Sequence, residues 1–396
     1  MFPASCESRS EVPSVDLFLC GTVCARYIAG QRLTPKSAGV FALLTDGYGV
    51  EGGIARYNTA LVSALSASAQ IGHVTVLARR AEPRAPPDGN KIQYLPPGAT
   101  KAALTAAIIK QALSGARHDI VFCGHLNMVP LAWLLARRWG AKLWLQTHGI
   151  ESWQRPSPHV RVVAEQADMI TCVSRYTRRR VLEWCDIEPT KIRVLPNTLS
   201  EQFDMPSLPR GVSTLQAQHN SRTLHALTVA RLSASERYKG HDVMIEAIAL
   251  LEPLGEHIQY VIAGDGDDRP RLESLTHRLS VSHRVSFLGR VAEADLPSLY
   301  DHADIFVMPS TGEGFGIVFL EACQRGCVVI ASNADGSVDP LRDGADGYLV
   351  PPNDPRALAD LLHLLAQSST APSLSANVFS KRAFDAHVNR LLPLLA

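Results

Sequence analysis

Residues 304–332 read DIFVMPSTGEGFGIVFLEACQRGCVVIAS. An apolar run, DIFVMPS (304–310), gives way to a turn holding Gly312, Gly314 and Gly316. A helix is expected to begin near Phe315–Ile317, and a second apolar run, CVVIAS, occupies 327–332. Short apolar runs bounded by turn residues read as fully buried strands. Two of them joined through a helix make a βαβ unit, whose strands are parallel.

That unit repeats outward in both directions. Toward the N-terminus the strand candidates are VFALLTD (40–46), HVTVLA (73–78), KIQYL (91–95), DIVFC (119–123), KLWLQT (142–147), MITCV (169–173) and IRVLP (192–196). Amphipathic stretches lie between them, among them 54–67, 102–113 and 128–139. Residues 201–222 are polar, carry Pro and Gly, and interrupt the pattern as a linker does. Alternation resumes with strands at 223–230, 259–264, 284–289, 304–310, 327–332 and 347–352, and helices at 241–251, 269–280 and 355–366. After a second polar break (368–376), residues 379–395 read as a terminal amphipathic helix. The fold class is α/β: two Rossmann-like, doubly wound parallel-sheet domains facing across a cleft. The domains are expected at 40–205 and 206–376, with 1–39 a poorly structured extension.

Bulk properties narrow the classes. The chain has 396 residues, enough for two cores. Lys plus Arg is 39 against 38 Asp plus Glu, so no global charge draws it to nucleic acid. No apolar run reaches the roughly 18 residues that span a bilayer, and 1–14 lacks a basic signal-peptide front. Eight cysteines without a repeated C-x-x-C read as reduced, mostly buried thiols.

Five motifs fall just after strand candidates, where ligands of such sheets bind. TDGYGVEGGIARY (45–57) brings Gly47, Gly49, Gly52 and Gly53 to a helix start, suited to an anion and equally to an ordinary tight turn. QTHGIESW (146–153) places His148 at a strand end, able to donate to a hydroxyl or phosphoryl oxygen. VARLSASERYKG (229–240) offers Arg231 and Lys239, a cation pair suited to a diphosphate; Arg237 between them reads as a surface charge. YVIAGDGDDRPRL (260–272) fails the dinucleotide fingerprint, because Arg269 takes the third glycine position. In PSTGEGFGIVFLEA (309–322), Glu313 precedes a helix start and Glu321 follows inside it. Ionised carboxylates accept from vicinal hydroxyls. A sugar and a ribose joined by a diphosphate present such hydroxyls on either side of an anion.

Residues 40–395 resemble a bacterial retaining glycosyltransferase of the GT-B fold, family 4 (group 1). The likeness rests on Arg231, Lys239, EGFGIVFLEA (313–322) and DGYLVPPNDP (346–355), with the GG loop, His148-Gly149 and LPN (195–197) in agreement. It implies that Gly53 lies near the donor diphosphate or acceptor and His148 near the donor sugar. Arg231 and Lys239 bind the diphosphate, and Glu313 meets the sugar hydroxyls with backbone help from Gly314, Phe315, Gly316 and Ile317. Glu321 meets the ribose, and the nucleobase sits by Arg290 and Val291. His148, Glu313, Arg231 and Lys239 form the catalytic set. No metal or cofactor is required, and the Asp265–Asp267 pair is structural. The terminal helix, 377–396, crosses back onto the N-terminal domain.

The expected activity moves a hexose of mannose or glucose type from a UDP- or GDP-sugar to a hydroxyl of a lipid-linked saccharide or polysaccharide precursor. Retention follows if the leaving diphosphate takes the acceptor proton on the same face. The protein is expected in the cytoplasm, at the inner membrane face. Helix 174–184, with Arg175, Arg178, Arg179 and Arg180, is either a contact for anionic lipid or a solvated face. Three other activities fit parts of the pattern. A glycoside hydrolase would use Glu313 and Glu321 as a pair, an epimerase would convert the donor alone, and a sensor would bind donor without turnover.

Overall fold

Each half is built around its first strand. In β1 (Ala38–Asp46) every residue from Val40 to Leu44 is buried, as a central parallel strand requires. The computed structural model describes residues 37–81, 91–204, 223–255, 257–367 and 378–396. The first sheet adds β2 (Ile71–Arg80), β3 (Ile92–Tyr94), β4 (Ile120–Cys123), β5 (Lys142–Thr147), β6 (Met169–Cys172) and β7 (Ile192–Val194). Their order is β3-β2-β1-β4-β5-β6-β7, all parallel. The second holds β8 (Leu224–Val229), β9 (Ile258–Ala263), β10 (Val285–Gly289), β11 (Ile305–Met308), β12 (Val328–Ser332) and β13 (Tyr348–Val350). Its order, β10-β9-β8-β11-β12-β13, repeats the first. In each sheet the order reverses beside the first strand, which is where a doubly wound sheet opens a crevice.

The helices between them are α1 (Gly53–Ala67), α2 (Lys101–Leu113), α3 (Val129–Trp139), α4 (Pro158–Ala164), α5 (Arg175–Leu182) and α6 (Glu201–Asp204) in the first half. The second half has α7 (His241–Leu251), α8 (Arg269–Arg278), α9 (Leu296–His302), α10 (Ile317–Gln324) and α11 (Pro355–Gln367), and α12 (Lys381–Leu391) follows. Phe41 and Leu43 point into one apolar cluster with Leu135 and Trp139. Val40, Ala42 and Leu44 point into the other, with Tyr57 and Leu61. That second cluster continues through Tyr300, Phe306 and Phe319, so side chains of both sheets share it. The last helix, α12, packs on α1. Phe384 meets Tyr57 edge-on at 5.8 Å, and the Ser68 hydroxyl donates to Asn389 Oδ1 at 2.6 Å.

The expected elements differ from the observed ones mainly at their ends. β1 starts at Ala38, two residues early, because Ala38 and Gly39 pair with β2 although they are too small to look like strand. Gly39 is needed there: a Cβ would lie 2.4 Å from the His73 ring. The 304–310 run yields strand only to Met308, since Pro309 has no N–H and Ser310 N–H turns back to the Met308 carbonyl. Residues 201–204 of the expected linker are helical, with Phe203 buried against Tyr300. The expectations for 1–36, 205–222 and 368–376 lie outside the described residues.

Candidate functional site

The strand ends of the two sheets enclose a cleft of about 1230 Å³, large even against the usual 300–1,000 Å³ of ligand pockets. Gly53, His148, Arg231, Lys239, Arg290, Val291, Glu313, Phe315, Gly316 and Ile317 all line it. Residues expected from five separate loops thus share one cleft. Gly314 and Glu321 are not on that lining, and each has a physical reason.

Gly314 is a spacer. A Cβ on it would sit 2.0 Å from the His148 carbonyl oxygen, and one on Gly149 would sit 2.9 Å from Gly314 Cα. Two bare backbones therefore touch where the loop after β11 meets the loop after β5. Glu321, in the second turn of α10, is fully buried. Its Oε1 accepts from Arg56 Nη1, and its Oε2 accepts from the Tyr300 hydroxyl at 2.8 Å. Burial pushes its carboxyl upward, and Arg56 opposes the shift. Arg56 stands between Glu321 and the cleft, which it lines.

The cations follow the expected layout. Arg231 comes just after β8 and is 79% exposed; Lys239 ends a 3₁₀ turn (Ala234–Lys239) and is 14% exposed. Gly240 then takes φ +78° beneath Pro309, whose carbonyl oxygen a Cβ would meet at 2.6 Å. Glu236 joins the two cations: it is ion-paired with Arg231 and lies 3.6 Å from Lys239 Nζ. Lys239 is also 4.0 Å from Glu313. Burial raises the Glu313 carboxyl, with Lys239 pulling the other way. Arg237 is paired with Asp268 at 2.7 Å. Asp267 accepts from Ala234 N–H at 2.8 Å, a structural tie.

Helix starts supply the remaining positive potential. Neither α1 nor α10 has a side-chain cap, and the first residues of both line the cleft. Their leading N–H groups have no partner within the helix. Nothing lies within 4 Å of a Cβ built on Gly52 or Gly53, so the GG loop leaves open space.

His148 departs from its expected role as donor. Its Nε2 lies 3.0 Å from the Gly124 carbonyl, which can only accept, so Nε2 carries the proton and donates there. Burial holds the ring's pKa down at about 4, so it is neutral, and Nδ1 is left as an acceptor. A hydroxyl in the cleft can donate to it.

Two groups carry weight that sequence reasoning missed besides Arg56 and Glu236. Asp335 is buried beyond β12 and accepts from Ser310 Oγ at 2.7 Å, Glu313 N–H at 2.6 Å and Ser337 N–H at 3.0 Å. It fixes the backbone that carries Glu313. Asp46, at the end of β1, is hydrogen-bonded to Arg80 at 2.7 Å, and both line the cleft. An Asp-Gly-Ser turn after a strand was the only local signal for Asp335. Three of the four arginines of α5 are hydrogen-bonded within the protein, and Arg179 is exposed, with its guanidinium 5.1 Å from the centre of the Tyr176 ring. Arg175 makes four hydrogen bonds of 2.6–3.0 Å to Asp339 and Asp343. Arg178 donates to the Ile192 and Pro189 carbonyls, and Arg180 donates to that of Trp153. Arg175 is thus a tie between the halves, whereas Arg178 and Arg180 hold α5 to the first half.

Two Rossmann-like sheets with facing strand ends and a basic, glycine-lined cleft define the GT-B class of fold. The family described as Glycosyl transferases group 1 matches residues 216–383, and Glycosyltransferase Family 4 matches 51–202. The chain is 30% identical to a GDP-mannose-dependent alpha-(1-6)-phosphatidylinositol monomannoside mannosyltransferase of Mycobacterium tuberculosis, over 66% of this chain and 71% of that protein. It is also 30% identical to a D-inositol 3-phosphate glycosyltransferase of Salinispora arenicola, over 66% of this chain but only 64% of that protein's length. Anabaena HepE in complex with UDP-glucose shares the fold, with a TM-score of 0.69 at 19% identity over 89% of this chain and 99% of that one. The chain belongs to the group 1 glycosyltransferases of family 4.

Proposed function

We propose that the protein transfers a hexose of mannose or glucose type from a UDP- or GDP-sugar to a hydroxyl of a lipid-linked saccharide or polysaccharide precursor, with retention. One observation carries this: Arg231, Lys239 and the uncapped start of α10 converge on the crevice between β8 and β11, with Glu313 beside them. Charge-assisted hydrogen bonds of about 1.5–3 kcal/mol each suit a diphosphate. They strengthen as charge develops on the leaving group, which is how such donors assist bond breaking. Glu313 and the acceptor nitrogen of His148 take sugar hydroxyls. The diphosphate oxygen takes the acceptor's proton on the face it leaves, so no carboxylate acts as nucleophile.

The cationic set stands in for a metal ion, and chelators are expected to leave turnover unchanged. A hydrolase pairing Glu313 with Glu321 is disfavoured, because Glu321 is buried behind Arg56 and bonded through both oxygens. A cytoplasmic site facing the inner membrane suits a lipid-linked acceptor; among the described residues no helix is long and apolar enough to cross a membrane. The test is nucleotide release from UDP-glucose and GDP-mannose with lipid-linked saccharide acceptors, with and without EDTA, and proton NMR of the product. Acceptor-dependent release, EDTA resistance and an α-linked product from an α-donor are expected. Release without acceptor, donor conversion without release, or a β-linked product would overturn the proposal.

A further inference from the structure

Glu321 poses a physical problem. A ribose expected at this carboxylate must reach it, yet Glu321 is 0% exposed and is absent from the cleft lining. One side chain from the other half caps its Oε1. Arg56 rises from α1 in the first half and crosses to the second, where Nη1 donates to Glu321 and Nη2 lies 3.0 Å from Glu293. Arg56 is 20% exposed and lines the cleft; Glu293 is 44% exposed. The guanidinium therefore bridges a buried carboxylate and a solvated one.

Each feature of this bridge suits exchange. A buried carboxylate with an empty acceptor site is costly, and vicinal hydroxyls satisfy it as well as a guanidinium does in number of bonds. Arg56, once released, keeps Glu293 as a partner at the cleft edge, so its own charge is never stranded. Tyr300 stays on Oε2 throughout and holds the carboxylate in place. We propose that Arg56 is a resident occupant of the ribose subsite, holding Glu321 until the nucleotide's vicinal hydroxyls displace it and so setting the site's affinity for ribose-bearing ligands. This rests on the donor reading given above.

The consequence is a competition within one molecule. A site filled about 90% of the time by its own arginine binds its ligand roughly tenfold more weakly than the emptied site would. A ligand without ribose pays nothing for that release.

The test is calorimetric titration of UDP, GDP and inorganic pyrophosphate. Wild type, Arg56→Gln, Arg56→Ala, Glu321→Gln and the double variant Arg56→Gln/Glu321→Gln are compared, each with its Tm as a folding control. Arg56→Gln and Arg56→Ala are expected to tighten the nucleotide that wild type prefers by about tenfold and to leave pyrophosphate unchanged. In the Glu321→Gln background the Arg56 change is expected to have no effect. Weaker nucleotide binding by both folded Arg56 variants, or unchanged binding, would overturn the inference, the first by making Arg56 a direct ligand contact. Failure of wild type to bind either nucleotide would instead overturn the donor reading beneath it.

Discussion

At the scale of single residues, the cleft is a set of charges that are satisfied before any ligand arrives. Glu236 joins Arg231 and Lys239, and Arg56 covers Glu321. Removing the Glu236 charge leaves two cations with less to hold them. Glu236→Gln is expected to tighten pyrophosphate several-fold, read by calorimetry, while weaker binding would mean that Glu236 chiefly fixes the geometry of the two cations. Arg231, Glu313 and His148 were legible because each stands within a few residues of a strand end, and Lys239 because it stands just before a helix start. Arg56–Glu321 was not: the partners are 265 positions apart, and the pair exists only once the two halves face each other. The His148 tautomer was equally out of reach, since it depends on the Gly124 carbonyl from another strand end.

At the scale of elements, loops held from behind present the site. Asp335 ties the loop after β12 to Ser310 and to the Glu313 backbone. Asp335→Ala strands those donors, and is expected to cost about 2–4 kcal/mol in chemical denaturation and to lower donor affinity as well. Asp335→Asn, which keeps an acceptor oxygen, should retain part of both. Gly314→Ala forces a methyl to within 2.0 Å of the His148 carbonyl. It is expected to cut donor-dependent stabilisation sharply, and wild-type behaviour would show that the two loops do not need this contact. The elements themselves were legible, because strands buried on both faces have no polar alternation and stand out between amphipathic helices. Their ends were less so: hydrogen bonding set them, as where Pro309 and the Ser310 turn stop β11 at Met308. Asp335 escaped notice because a lone aspartate after a strand looks like any turn residue.

At the scale of the whole molecule, two copies of one sheet order meet through shared apolar packing and a few strong polar ties, chiefly Arg175 with Asp339 and Asp343. Two buried histidines and the half-buried His148 make the body sensitive to acid. Burial lowers His118, His148 and His241 each from 6.5 to about 4. Between these values the unfolded chain takes up protons that the folded chain refuses, so their contribution to stability is complete above about pH 6.5 and falls as pH drops toward about 4. His118, packed against Phe41 and Trp139 away from the cleft, isolates the effect. The Tm of His118→Phe should decline less than that of wild type between those limits; parallel decline would remove His118 as a cause. The doubly wound architecture was legible from strand and helix alternation, whereas the arginine brace between the halves was not, since α5 reads as a basic surface helix until Asp339 and Asp343 are brought to it.

The central claim is that Lys239 and its neighbours hold the diphosphate of a nucleotide sugar. A thermal-shift panel of UDP- and GDP-sugars on wild type and Lys239→Ala tests it most directly. At least one nucleotide sugar is expected to raise the Tm of wild type, with that gain largely lost in a folded Lys239→Ala. No stabilisation of wild type by any nucleotide sugar, or full stabilisation of Lys239→Ala, would contradict the claim.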